Sequence, residues 1–347
     1  MPLRSWKSAR RTLPAVVGVL ALILTACGDD GDDSGGGGGG GASGAIVVSG
    51  SSTVEPITAL VAELFAEENS DVSVEVNGPG TSDGFELFCQ GETDINDASR
   101  AIEEEEITAC EEGGVEYVEL NVGIDGLSII TSTGNDDVEC LTFADLYALV
   151  GPEAEGFDNW QQAQPLAGEL GSTTALPDAP LDITGPGEES GTYGSFIEIV
   201  FADIAEERVT AGSISEDQAE TTRPDYQSSG NDNTIIDGVT GSDSSLGWVG
   251  YAFAQENSDQ VKSLEVDGGD GCTAPTDETI TTGDYPVSRP LFIYVNTAKA
   301  AENAALSDFV DFYLGDTGFD SVTEAGYINV PDDDWAATGD TWDQASG

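Results

Sequence analysis

Ser49-Gly50-Ser51-Ser52-Thr53-Val54, Gly78-Pro79-Gly80-Thr81-Ser82-Asp83-Gly84 and Gly185-Pro186-Gly187-Glu188-Glu189-Ser190-Gly191-Thr192 share one design. A strand ends, glycines and hydroxyl side chains follow, and a helix begins. After the first segment, Ile57, Leu60, Val61, Leu64 and Phe65 recur at the spacing of one helix face, to about residue 67. A short helix around Phe85 and Phe88 follows the second. After the third, Tyr193, Phe196, Ile197, Val200, Phe201 and Ile204 repeat the stripe and predict one helix over 193–204. Short apolar runs at 45–48, 72–76, 115–120, 127–131, 246–251 and 291–295 predict strands. Strands interleaved with helices indicate α/β architecture with largely parallel sheets.

The shared design carries chemistry. A helix N-terminus has free N–H groups and the positive end of a dipole, and glycine lets an anion come close to the backbone. Ser and Thr add hydroxyl donors without net charge. Three such termini converging on one point would bind a tetrahedral oxyanion with few cations. The bland alternative for each hydroxyl is an ordinary N-cap, and its threefold repetition beside glycine favours the anion site.

Few cations are available. Ten Lys and Arg face 66 Asp and Glu, with no His, for a formal charge of −56. Arg4, Lys7, Arg10 and Arg11 precede an apolar run at 13–24 and then Thr25-Ala26-Cys27, the parts of an export signal. The run is short for a bilayer span. Leu24-Thr25-Ala26-Cys27 resembles the lipobox of bacterial lipoproteins, which implies that residues 1–26 are removed and Cys27 is acylated. What remains keeps six bases, Arg100, Arg208, Arg223, Lys262, Arg289 and Lys299, so its charge is six minus 66, or −60. Such a surface cannot displace counterions from nucleic acid. It suits a salty medium that screens self-repulsion.

Residues 27–44 are mostly Gly, Asp and Ser and form a tether. Asp29, Asp30, Asp32 and Asp33 lack the rigid cage and the spaced bidentate Glu of a calcium loop. Four cysteines remain, Cys89, Cys110, Cys140 and Cys272, and in an exported chain they imply two disulfides with three possible connectivities. Cys89–Cys110 and Cys140–Cys272 are favoured, the first because it flanks one short segment; closing that loop contributes about 3 kcal/mol.

Taken in order, Gly50-Ser51-Ser52-Thr53-Val54, Gly80-Thr81-Ser82, Asp94-Ile95-Asn96-Asp97-Ala98-Ser99-Arg100, Ser190-Gly191-Thr192, Gly247-Trp248-Val249-Gly250-Tyr251 and Ser288-Arg289-Pro290-Leu291 resemble the phosphate-binding proteins of ABC importers, the PstS family. The resemblance covers nearly all of the chain after the tether. It implies a two-lobe periplasmic-binding-protein fold of type II, closing on inorganic phosphate and serving an ABC permease at the outer face of the cytoplasmic membrane. It also implies a first clamp at Thr53 and the Val54 N–H, with Ser52 beside them. Thr81 and Ser82 form the second clamp, Ser99 and Arg100 the third, and Ser190, Gly191 and Thr192 the clamp of the opposite lobe.

Three departures matter. Many members have Gly where Asp83 stands, Asp at the Ser99 position, and an Arg before the Ser-Gly-Thr where this chain has Pro186. Arg100 is therefore expected to supply the one positive charge. Phosphate near neutral pH keeps an O–H that sulfate lacks, so a selective site needs an acceptor. Asp83, Asp97 and Glu189 lie nearest the clamps, and Asp83 is preferred because its neighbours open a helix. Arg289 is expected to be structural at the hinge. Asn231-Asp232-Asn233 is either a cleft contact or a helix cap, and Trp160 is packing.

Without His, and with its cysteines committed to lipid or disulfides, the chain has no Ser-His-Asp, Cys-His or His-based zinc arrangement. A phosphatase using carboxylates alone, a structural surface protein, and a binder of sulfate, molybdate or an organic phosphate are the alternatives. No cofactor, metal or catalytic residue is expected, and the chain is expected to be a monomer. The expected lobes are 45–125 with 287–347, and 126–286, because runs 127–131 and 291–295 sit where the chain would cross and return.

Overall fold

The computed structural model describes residues 44–347 apart from Glu189. The expected signal at 1–26, Cys27, nearly all of the expected tether and the candidate acceptor Glu189 lie outside the described residues.

The first three strands, β1 (Gly44–Gly50), β2 (Val72–Asn77) and β3 (Ile95–Ala98), alternate with helices α1 (Glu55–Glu68), α2 (Thr81–Cys89) and α3 (Glu104–Gly113). β1 pairs in parallel with both β2 and β3. Their C-terminal ends therefore lie along one edge of the sheet, where open α/β sheets bind ligands. Next comes β4 (Tyr117–Ser132), then β5 (Cys140–Thr142), β6 (Asp182–Gly185), β7 (Gln227–Ser228), β8 (Ser245–Gly250), β9 (Val261–Ser263), β10 (Glu265–Asp267), β11 (Cys272–Thr273) and β12 (Ser288–Asn296). The main sheet runs β2-β1-β3-β12-β4-β8-β6-β7, with β9 also on β4, and β11-β10-β5 form a small second sheet.

The sheets are mixed rather than largely parallel. β12 runs antiparallel to β3 and β4, and β4 antiparallel to β8 and β9. The runs at 115–120 and 127–131 are one strand, not two. The intervening Asn121-Val122-Gly123-Ile124-Asp125-Gly126 breaks the strand pattern in sequence but is held in the ladder by β12. Here Gly123 and Gly126 leave room for Val322 and Ile328, which a Cβ would meet at 3.1 and 3.0 Å.

Helices cover both faces. On one face of the first sheet, Ile57, Val61 and Phe65 of α1 pack with Leu306, Phe309 and Val310; on the other, Phe85, Phe88 and the two cysteines of the Cys89–Cys110 disulfide pack with Tyr294. Phe65 meets Phe309 edge-on at 5.3 Å, a contact worth about 1 kcal/mol beyond burial. A separate core gathers Leu127, Trp160, Phe196, Phe201 and Trp248, with Val330 returning to it from the C-terminal region. Trp160 is packing, as expected, and its indole N–H donates to Ser244 O at 2.8 Å. The stripe at 193–204 is interrupted: helix Gly191–Phe196 passes through a π-helical turn, Ile197–Phe201, into helix Ala202–Thr210. The second disulfide is Cys140–Cys272.

Candidate oxyanion-binding site

The segments expected to form three of the clamps stand at the C-terminal ends of the parallel strands. The loops after β1, β2 and β3 meet where Gly80 N donates to Gly50 O at 2.9 Å and Ser51 N to Asp97 O at 2.8 Å. Glycine is required at this junction. Gly50 has φ of +143°, a conformation side-chain-bearing residues avoid, and a Cβ there would lie 2.0 Å from Asp97 O. A Cβ on Gly84 would lie 2.4 Å from Gly50 Cα. α2 thus seats its first turn directly against the β1 loop.

No side chain caps α1 or α2, so the N-cap alternative does not account for the hydroxyls before these two helices. Ser51 Oγ accepts from Thr53 N at 3.1 Å and shapes the first loop. Thr53 is buried and Ser52 exposed. Val54 is buried and stands just ahead of α1. Thr81 Oγ1 and Ser99 Oγ lie 3.1 Å apart, and Ser99 N also donates to Thr81 Oγ1. Arg100 joins this cluster through Nη2, which donates to Ser82 Oγ at 2.9 Å. The same guanidinium makes a two-pronged contact with Glu106, at 2.7 and 2.8 Å, and sits 3.3 Å from Glu103. The Glu106 hydrogen bond raises the Arg100 pKa and keeps the cation fixed.

The segment expected to form the opposite clamp lines a cleft of about 370 Å³. Ser190, Gly191 and Thr192 share it with Pro56 from the first turn of α1, Asp125, Asp232 and Tyr327. Ser190 Oγ accepts from Thr192 N at 3.2 Å, so this serine does cap its own helix. Asn231 likewise caps helix Asp232–Thr240 through Asn233 N, while Asp232 faces the cleft, so the segment combines both roles weighed for it. Burial raises the Asp232 pKa. Asp125 is fully buried, and burial raises its pKa against the opposing Arg289 charge.

Arg289, expected to be structural, binds protein groups on several segments. Its Nη2 donates to Thr53 Oγ1 at 3.0 Å and to Ser195 Oγ at 3.4 Å, Nη1 to Glu198 at 2.6 Å, and Nε lies 3.3 Å from Asp125. Sequence reasoning did not single out Asp125, Tyr327 or the contact between Arg289 and Thr53. The one available signal for Asp125 was a carboxylate set between Ile124 and Gly126 in an otherwise apolar run.

The candidate proton acceptors are placed differently. Asp83 is exposed on the first turn of α2. Asp97 is buried behind the β1 loop with both carboxylate oxygens unpaired. Burial, with the charge of Glu55 adding and the Thr58 hydroxyl opposing, pushes its pKa up to about 8.

The sequence matches the PBP superfamily domain over residues 36–317. It is 36% identical over 288 residues to protein SphX of Synechocystis, covering 82% of this chain and 78% of that one. The phosphate-binding protein PstS of Staphylococcus saprophyticus is 32% identical over 318 residues, 91% of this chain and 88% of the relative. The chain belongs to the PstS family. Among solved structures, that of a possible phosphate binding protein from Planctomyces limnophilus superposes with a TM-score of 0.77 at 33% identity, covering 88% of this chain and all of the other. The PstS-family fold is the two-lobe α/β fold expected above. Among the described residues no helix is long and apolar enough to cross a membrane.

Proposed function

We propose that this PstS-family chain captures inorganic phosphate outside the cytoplasmic membrane and delivers it to an ABC importer. The observation that carries this reading is the meeting of the uncapped start of α2 with the Thr81–Ser99 hydroxyl pair and the β1 loop at the C-terminal edge of three parallel strands. Free N–H groups and neutral hydroxyls bind an oxyanion without requiring a positive surface. That is the kind of site a chain of formal charge −56 can build.

In this reading Ser52, Thr53, Val54, Thr81, Ser82, Ser99 and Arg100 close on the ligand from one lobe and Ser190, Gly191 and Thr192 from the other. The lobes divide at about residues 125/126 and 286/287. Support comes from β4, which changes partner from β12 to β8 and β9 across Gly126 and Leu127. Removal of residues 1–26, acylation of Cys27, a tether, adaptation to salt, a monomeric state and the absence of enzymatic turnover complete the proposal. Labelling with a fatty acid, lost in Cys27→Ser, tests the anchor. Asp83 remains the proposed acceptor for the phosphate O–H; Asp83→Asn should reduce discrimination against sulfate by more than about tenfold, and unchanged selectivity would move the role to Asp97 or Glu189. Calorimetric titration of the soluble domain, residues 44–347, with phosphate tests the function itself. Saturable phosphate binding supports it, and no binding overturns it.

A further inference from the structure

Arg289 has an arrangement that a simple hinge ion pair does not need. Its guanidinium is mostly buried, with 15% of the side chain exposed, and it reaches groups from distant parts of the chain. Nε faces the buried Asp125, its cross-strand partner in the β4–β12 ladder. Nη1 holds Glu198 and Nη2 lies between Thr53 Oγ1 and Ser195 Oγ. Ser195 belongs to the helix that begins at Gly191, and Thr53 to the loop that leads into α1.

A threonine hydroxyl carries one proton and two lone pairs. When one lone pair accepts from a guanidinium, the proton points elsewhere and the polarised O–H becomes a better donor. Thr53 is buried, so its hydroxyl has few orientations to choose from. Arg289 can thereby pass the effect of its charge to an anion without leaving its carboxylate partners.

We propose that Arg289 is a positioning residue that turns the Thr53 hydroxyl into an oriented donor for the bound oxyanion and fixes the loop before α1 against the helix beginning at Gly191. The inference rests on the phosphate-binding reading above. It assigns Arg289 a part in ligand recognition in addition to its contact with Asp125. Because the guanidinium acts through Thr53, its contribution to affinity should depend on that hydroxyl being present.

The test is a double-mutant cycle in phosphate affinity, measured by calorimetry at fixed salt and pH on the soluble domain. Arg289→Gln should weaken binding at least about tenfold in the native background and less than about twofold in a Thr53→Val background. Arg289→Lys keeps a cation over Asp125 but loses the fork, and should show the same dependence on Thr53 with a smaller loss. It carries the test if Arg289→Gln does not fold. Losses that multiply independently of Thr53, or an Arg289→Gln variant with native affinity, would overturn the inference while leaving phosphate binding intact. A native protein that binds no phosphate would overturn both readings.

Discussion

Replacing Asp97 by Asn should stabilise the protein, and by more as pH rises. Asp97 is nearly isosteric with Asn, sits in β3 with both oxygens buried and unpaired, and faces Thr58 and Tyr313, whose own oxygens bond to each other at 3.1 Å. Glu55 adds a nearby negative charge. The Asp97 carboxyl pKa rises from 3.8 to about 8 on folding. Between those values the folded state keeps a proton that the unfolded chain has released, so stability falls as pH rises. The slope is about 1.4 kcal/mol per pH unit and the total is on the order of 5 kcal/mol. Below the unfolded value both states are protonated, and above about pH 8 both are ionised, so the loss stops growing there. Asn does not titrate and carries no such loss. Urea unfolding of both proteins at constant high ionic strength, from about pH 5 to about pH 9, gives the difference directly, because the other acids are common to both. The gap should widen with pH and level off near the folded pKa. Parallel stability curves would show that Asp97 is ionised with a compensating partner, and would refute the reasoning.

Arg100→Ala should weaken phosphate binding by at least about 2 kcal/mol with a much smaller change in stability, measured by calorimetry and denaturation; normal binding with easier unfolding would make the Glu106 contact purely structural. Gly84→Ala places a Cβ 2.1 Å from Asn96 Oδ1 and 2.4 Å from Gly50 Cα, so it should cost about 1–3 kcal/mol of stability and lower phosphate affinity as α2 shifts. Breaking Cys140–Cys272 by paired Ser substitutions opens a loop with a sequence separation of 132 and should cost up to about 5 kcal/mol in denaturant unfolding.

The repeated strand, glycine-hydroxyl loop and helix start were legible because each depends on local chemistry. The positions of α1 and α2 followed from apolar spacing and glycine placement, and both favoured disulfides are present. What stayed hidden depends on contacts between distant segments. The continuity of β4 through Gly123 and Gly126 is created by β12 and by Val322 and Ile328 pressing on the glycines. The reach of Arg289 to Thr53 joins residues 236 positions apart, and no local pattern encodes it. Glu106 stands in an acidic run, Glu103-Glu104-Glu105-Glu106, and helix phase selects which carboxylates meet Arg100. The π-helical turn at Ile197–Phe201 adds a residue to one turn, which a single helical stripe does not reveal.

The central claim is that neutral hydroxyls and helix starts make a phosphate-selective site on a highly acidic protein. Its most direct test is calorimetric titration of the soluble domain with phosphate, sulfate and molybdate under one salt and pH condition. Saturable binding of one phosphate per chain is expected, with sulfate and molybdate weaker by at least about tenfold. Absence of phosphate binding, or sulfate binding as tightly as phosphate, would contradict it.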